Sequence, residues 1–157
     1  MTVEIVNPAT GQVIYRHELM RADEIEARLQ AAAEAFPGWA ATSLQDRGAV
    51  LRKIAAQLRE RRDDLQQAMT GEMGKLKAEA QAEVEKCAQA CEYYADHAAD
   101  YLKPQQIDTE AQRSYVRYEP IGCVFAVMPW NFPIWQVFRF LAPAFMAGNV
   151  ALLKHAS

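Results

Sequence analysis

No Gly-x-Gly-x-x-Gly run occurs in this sequence, so the glycine fingerprint of a conventional dinucleotide fold is absent. Cysteine is scarce. Three residues, at 87, 91 and 123, do not make a disulfide framework and suit a reducing, cytoplasmic compartment. Cys87 and Cys91 stand at helical spacing with no second ligand pair nearby, which points to small core residues and to no metal site. Positive charge is not in excess: 17 Lys and Arg against 20 Asp and Glu give a net charge of −3, which argues against a nucleic-acid surface. The opening Met1–Gly11 has no basic segment followed by an apolar run, so no secretory signal is expected. The apolar stretch 132–153 is interrupted by Pro133, Gln136, Arg139, Pro143 and Gly148-Asn149, which argues against a membrane-spanning helix and for a core helix followed by a strand.

What the sequence does have is apolar bulk: 51% hydrophobic residues in a chain of 157, enough for one domain-sized core. Val3–Val6 and Gln12–Arg16 read as short extended segments around an Asn7-Pro8-Ala9-Thr10-Gly11 reversal. A first helix is predicted over about 22–36, with Ile25, Leu29, Ala32 and Phe36 on one face and Pro37-Gly38 as its stop. A second is predicted over about 44–70, opened by Ser43 with Asp46, its run of charges from Arg59 to Asp64 forming a solvated face. After Gly71 and Gly74 a third is predicted over about 76–101, with Val84, Cys87, Cys91, Tyr94 and Ala98 on one face. Residues 114–118 alternate like a strand.

From residue 121 the pattern becomes strand, turn, helix, strand: 121–128, 132–147 and 149–154, one βαβ unit, the smallest piece of a doubly wound sheet. The first strand is apolar enough to be covered on both faces, and Cys123 within it is expected to be packed. Pro129 ends the strand and Pro133 suits the first turn of the helix, so Asn131 stands at the edge of the sheet where ligands bind. An amide there can donate to an oxyanion without being titrated away, or it can cap the helix. Arg139 is the only charged residue between Pro129 and Leu153. A guanidinium buried among aromatic neighbours needs an anion, supplied by a protein carboxylate or by a substrate.

Pro129-Trp130-Asn131-Phe132-Pro133, followed by Gly148-Asn149 and Leu152-Leu153-Lys154, resembles the aldehyde dehydrogenase superfamily. Asn7-Pro8-Ala9-Thr10-Gly11, Glu72-x-Gly74-Lys75 and Tyr118-Glu119-Pro120-Ile121-Gly122 are similar to further motifs of that family, in the same order along the chain. The resemblance implies an amino-terminal piece of such an enzyme, whose catalytic cysteine and general-base glutamate lie beyond residue 157. It implies an α/β fold: a helical part of the cofactor domain over 1–103, oligomerisation strands over 104–120, and over 121–157 the start of a doubly wound, Rossmann-like parallel sheet.

The same resemblance assigns roles. Asn131 matches the catalytic amide that stabilises the oxyanion. Met128, Pro129 and Trp130 match positions lining the cofactor groove, and Lys154 matches a lysine on the adenosine ribose. Ser157 falls where NAD-preferring relatives carry a glutamate; a neutral serine leans toward NADP, or NADP and NAD together. Relatives acting on succinate semialdehyde carry an arginine at the spacing of Arg139, and Phe132 and Gln136 would line the same tunnel. The expected whole is a cytoplasmic homo-oligomer, dimer or tetramer, acting on a small-molecule aldehyde with NADP or NAD, with no nucleic-acid or membrane partner. The rival readings are an inactive truncated product acting only as a subunit-interaction piece, and a relative that oxidises a neutral aldehyde.

Overall fold

The computed structural model describes residues 2–156. The chain begins with an antiparallel pair, β1 (Thr2–Val6) and β2 (Val13–Glu18). Its turn is closed by Asn7, whose side-chain oxygen accepts from the Ala9 N–H at 2.8 Å while its carbonyl accepts from the Gly11 N–H at 2.8 Å. Tyr15 on β2 donates to Glu72 at 2.9 Å, so the opening motif docks on the Glu72–Lys75 segment.

Four helices follow: α1 (Ala22–Ala40), α2 (Leu44–Glu60), α3 (Arg62–Met73) and α4 (Lys77–Leu102). Two boundaries and one apolar stripe match the sequence pattern closely. Ser43 caps α2 by accepting the Asp46 N–H at 3.1 Å, as its spacing implies. Gly74 ends α3 at φ 72°, a left-handed geometry that favours glycine. α4 carries the expected stripe, with Val84, Cys87, Cys91 and Ala98 buried.

Two helical expectations are overturned. Pro37 does not stop α1, which runs on to Ala40. Proline forfeits one main-chain bond, but its carbonyl still accepts the Ala41 N–H at 3.1 Å, and Trp39 anchors the last turn by donating to the Phe145 carbonyl at 3.2 Å. The predicted 44–70 helix is two helices, broken at Arg61 (φ −92°, ψ 14°). Six consecutive charges from Arg59 to Asp64 leave no apolar side chain to hold that turn against the core. Nor is the run wholly solvated, because Arg59 bridges α2 to Glu85 and Glu92 on α4.

A short hairpin pairs β3 (Gln105–Gln106) with β4 (Tyr115–Val116). The parallel unit closes the chain: β5 (Cys123–Val127), α5 (Trp135–Met146) and β6 (Val150–Lys154), with Cys123 opposite Val150 and Val127 opposite Lys154. α5 holds Pro143 in its interior. The core lies where α2, α4 and α5 meet, around Leu51, Ala55, Val84, Cys87, Cys91, Ala142 and Met146. Among the described residues no helix is long and apolar enough to cross a membrane.

The expectation that β5 is covered on both faces does not hold for this chain. Val124 and Ala126 turn inward, while Phe125 and Val127 are 66% and 62% exposed. Cys123, on that same outer face, is exposed rather than packed. α1 contacts the strand pair, but nothing in the described residues lies over the side carrying Cys123, Phe125 and Val127.

The thiols therefore fall into two classes. Burial pushes Cys87 up to about 12 and Cys91 up to about 11, so both stay protonated and inert near neutrality. In the folded chain at neutral pH, a thiol-reactive disulfide reagent should titrate one fast group, Cys123, and the other two only after denaturation. Three equally fast thiols would show that the α4 stripe is not buried.

Candidate functional site

The head of α5 is built around one buried carboxylate. Glu83 projects from α4 in the core-facing stripe, and its side chain is 2% exposed. One of its oxygens accepts the backbone N–H groups of both Ile134 and Trp135 at 2.9 Å. The other pairs with Lys75, whose side chain is 7% exposed. These two N–H groups are among the donors a helix leaves orphaned at its first turn, and a carboxylate there also opposes the positive end of the helix dipole. Lys75 lies 4.0 Å from the centroid of the Phe132 ring. The pair thus touches residues 132, 134 and 135, immediately after Asn131.

Asn131 and Phe132 open onto a cleft of about 510 Å³ lined also by Lys75, Glu83, Lys86 and Trp135. Lys86 covers the Trp135 ring, its ammonium 4.1 Å from the centroid. Asn131 itself is exposed. In that position its amide can meet a molecule entering the cleft.

The parallel register brings the second set of residues together. Because β5 and β6 run the same way, their carboxyl ends share one sheet edge, the edge at which open α/β sheets bind ligands. The Met128 N–H donates to the Lys154 carbonyl at 3.1 Å. Met128 is half-buried, Pro129, Trp130 and Lys154 are exposed, and Trp130 is 65% accessible. An open apolar surface beside one cation suits a cofactor with a flat ring and anionic phosphates.

Gly148 and Asn149 fasten this unit from below. The Asn149 side chain accepts the N–H groups of Ile121 and Gly122 at 2.7 and 3.2 Å. Gly148 has φ 89°, and a Cβ there would stand 2.6 Å from an Arg47 nitrogen. Arg47 is buried and donates to the carbonyls of Met146 and Thr42 at 2.8 and 3.0 Å, closing the other end of α5.

Not every residue singled out from the sequence converges here. Gln136 is half-buried, but neither it nor Arg139 lines the Asn131 cleft. Arg139 is exposed, which removes the expectation that its guanidinium is buried in this chain. It sits on the outward side of α5, whose inward residues Ala142 and Met146 fill the core. Ser157 lies outside the described residues. Cys123 stands at the amino end of β5, the far end of the strand from Asn131. Glu83, Lys75 and Arg47 build the site without belonging to the residues that the sequence pattern marks as functional. Their signal was available in two cases: Glu83 and Arg47 each place a charge in an otherwise apolar helical stripe, where a charge needs a partner.

Comparison with known proteins adds identity to this geometry. The family model described as the aldehyde dehydrogenase family matches residues 1–157. The chain is 49% identical over 157 residues to a probable NADP(+) succinate-semialdehyde dehydrogenase of Synechocystis sp., covering 100% of this chain and 35% of that protein. It is 44% identical over 151 residues to an NAD(P)+ succinate semialdehyde dehydrogenase of Escherichia coli, covering 96% of this chain and 33% of that protein. Among solved structures it matches the succinic semialdehyde dehydrogenase of Streptococcus pyogenes in complex with NADP+, with TM-score 0.92 and 36% identity over 98% of this chain and 34% of that one. The chain spans about a third of the length of these relatives. With its whole length matched, and with the Pro129–Pro133 turn and Lys154 sharing one sheet edge, the chain belongs to the aldehyde dehydrogenase family.

Proposed function

We propose that these residues are the amino-terminal part of an NAD(P)-dependent dehydrogenase that oxidises succinate semialdehyde to succinate, with NADP favoured. The observation that carries the reading is the exposed Asn131, set at the carboxyl edge of a parallel strand pair and opening onto a cleft. The substrate is supported by the likeness to proteins named for that aldehyde, and by an arginine on the helix that follows Asn131.

Each residue has a stated task. The side-chain N–H of Asn131 donates to the aldehyde oxygen as a thiolate adds to the carbonyl carbon and negative charge grows there. That thiolate and the general base would come from outside residues 1–157, since Cys87 and Cys91 are buried and Cys123 stands at the wrong end of its strand. Met128, Pro129 and Trp130 would form the apolar wall of the cofactor groove, while Lys154 and Ser157 would contact its ribose. The cofactor, when bound, supplies the hydride acceptor. Arg139 would hold the far carboxylate of the substrate, with Phe132 and Gln136 lining its path. Arg139 faces water in this chain, and a charge pair there would discriminate only in dry surroundings supplied from beyond these residues.

Residues 104–120 are proposed as the subunit contact of a cytoplasmic homo-oligomer. The hairpin is supported in that role by Ile107, Tyr115, Val116 and Tyr118, all 44–47% exposed beside unpaired strand edges.

The chain of 157 residues by itself should form no NAD(P)H in the presence of aldehyde, and measurable turnover by it would place the nucleophile inside these residues. In the full-length enzyme, Asn131→Ala should lower kcat by on the order of a hundredfold while cofactor affinity hardly changes. Normal kcat with lost cofactor binding would move Asn131 from the oxyanion to the groove. Arg139→Leu should cost about 2 kcal/mol or more in kcat/KM for succinate semialdehyde, roughly thirtyfold, and leave a neutral aldehyde of similar length unaffected. An unchanged ratio between the two substrates would remove Arg139 from the substrate site and favour a relative acting on neutral aldehydes.

A further inference from the structure

We infer that Glu83, held by Lys75, is the positioning residue that sets where the Asn131 amide points; the inference rests on the role proposed for Asn131 above. Asn131 is exposed, in a bend between two prolines, with no helical bond of its own. Nothing in its own side chain fixes its orientation: neither side-chain atom makes a hydrogen bond to the described residues. The constraint comes from the backbone just after it. Glu83 takes the N–H groups of Ile134 and Trp135 on a single oxygen, which fixes two successive peptide planes. Lys75, on the other oxygen, packs against the Phe132 ring. The turn is therefore gripped at residues 132, 134 and 135 by one ion pair that is nearly inaccessible to water.

A cap alone would not need this construction. Serine or aspartate next to the helix would satisfy the same N–H groups locally. Here the acceptor is a side chain from α4, 51 residues earlier in the chain, and its counter-ion comes from the loop between α3 and α4. The arrangement ties the catalytic turn to the helical core rather than to its own strand. An oxyanion donor acts only if it is aimed at the developing charge before that charge appears, and an offset of about 1 Å costs much of its effect. Glu83 touches no reacting atom in this scheme. It acts through Asn131.

The test is a double-mutant cycle in the full-length enzyme, with turnover and thermal melting measured for Glu83→Leu, Asn131→Ala and both together. Glu83→Leu should lower kcat by about thirtyfold or more while KM for aldehyde and cofactor moves less than about threefold, because the groove keeps its lining and Glu83, the one cleft residue replaced, contacts no part of the substrate in this scheme. Adding Asn131→Ala should then cost no more than about threefold, since the amide is already misdirected. Glu83→Gln should melt earlier than the wild type, because its NH2 faces the buried Lys75 ammonium without a counter-charge, yet keep more turnover than Glu83→Leu, because its amide oxygen still accepts both N–H groups. If the leucine variant loses its cooperative melt, the cycle is read with Glu83→Asp, which keeps the charge for Lys75 but falls one methylene short of the N–H groups. Effects of the two substitutions that multiply, or a Glu83→Leu variant that melts early with wild-type kcat, would overturn the positioning role. A full-length wild type that oxidises no aldehyde would overturn the function proposed above and this inference with it. A working wild type with multiplicative effects overturns this inference alone.

Discussion

Everything at the site depends on α5 being held at both ends by buried charges of opposite sign. Glu83 meets the N–H groups of its first turn, and Arg47 meets the Met146 carbonyl at its last. Each charge opposes the helix dipole at its own end, an arrangement worth up to about 2 kcal/mol when partly buried. Both charges carry a desolvation cost. Burial lowers the pKa of Arg47 from its ordinary value, and its Nε is the one buried side-chain polar atom without a partner among the described residues. Glu83 is better compensated, with Lys75 and two N–H donors. Removing one partner of such a pair typically costs about 3–5 kcal/mol, because the other is left buried and charged. α5 is thus fixed along its axis as well as packed on its side.

That fixation turns a short helix into a rigid carrier. Asn131 precedes it and β6 follows it, so the amide and the Lys154 edge are referenced to one another through a single clamped element. Trp39 reinforces the far end: its indole donates to the Phe145 carbonyl, and its ring meets the Phe145 ring edge-on at 5.5 Å. Gly148 completes the corner, because a side chain there would displace Arg47. The two motifs Gly148-Asn149 and Pro129–Pro133 are separated in sequence, yet both serve the placement of α5.

The parallel strand pair is the more open part. Phe125, Val127 and Ile121 expose large apolar surfaces, 62–85% accessible. Doubly wound sheets cover such faces with helices, and this chain spans about a third of the relatives it matches. The helical core has its contacts within the chain, whereas among the described residues the sheet that would carry the chemistry has helices packed on one side and an exposed apolar face on the other. Catalytic geometry at Asn131 is therefore anchored from the helical side.

Much of this was legible from residue types and order. Local rules sufficed for the Asn7–Gly11 reversal, the Ser43 cap, the α4 stripe and the βαβ unit, because each depends on neighbours within a turn or two of the chain. The ordered motifs placed the family, and with it Asn131 and Lys154 as residues to watch. Folding in three dimensions settled the rest. Pro37 stays inside α1 because Trp39 is anchored more than a hundred residues away, at Phe145. Cys123 and Arg139 face water because burial depends on what packs over a residue, which an apolar sequence pattern does not report. Glu83, Lys75 and Arg47 became site residues only when α4, the loop before it and α2 closed around α5. A buried charge in a helical stripe announces that it needs a partner. Which backbone groups it meets is a property of the fold, since those groups are identical at every residue and only tertiary packing selects among them.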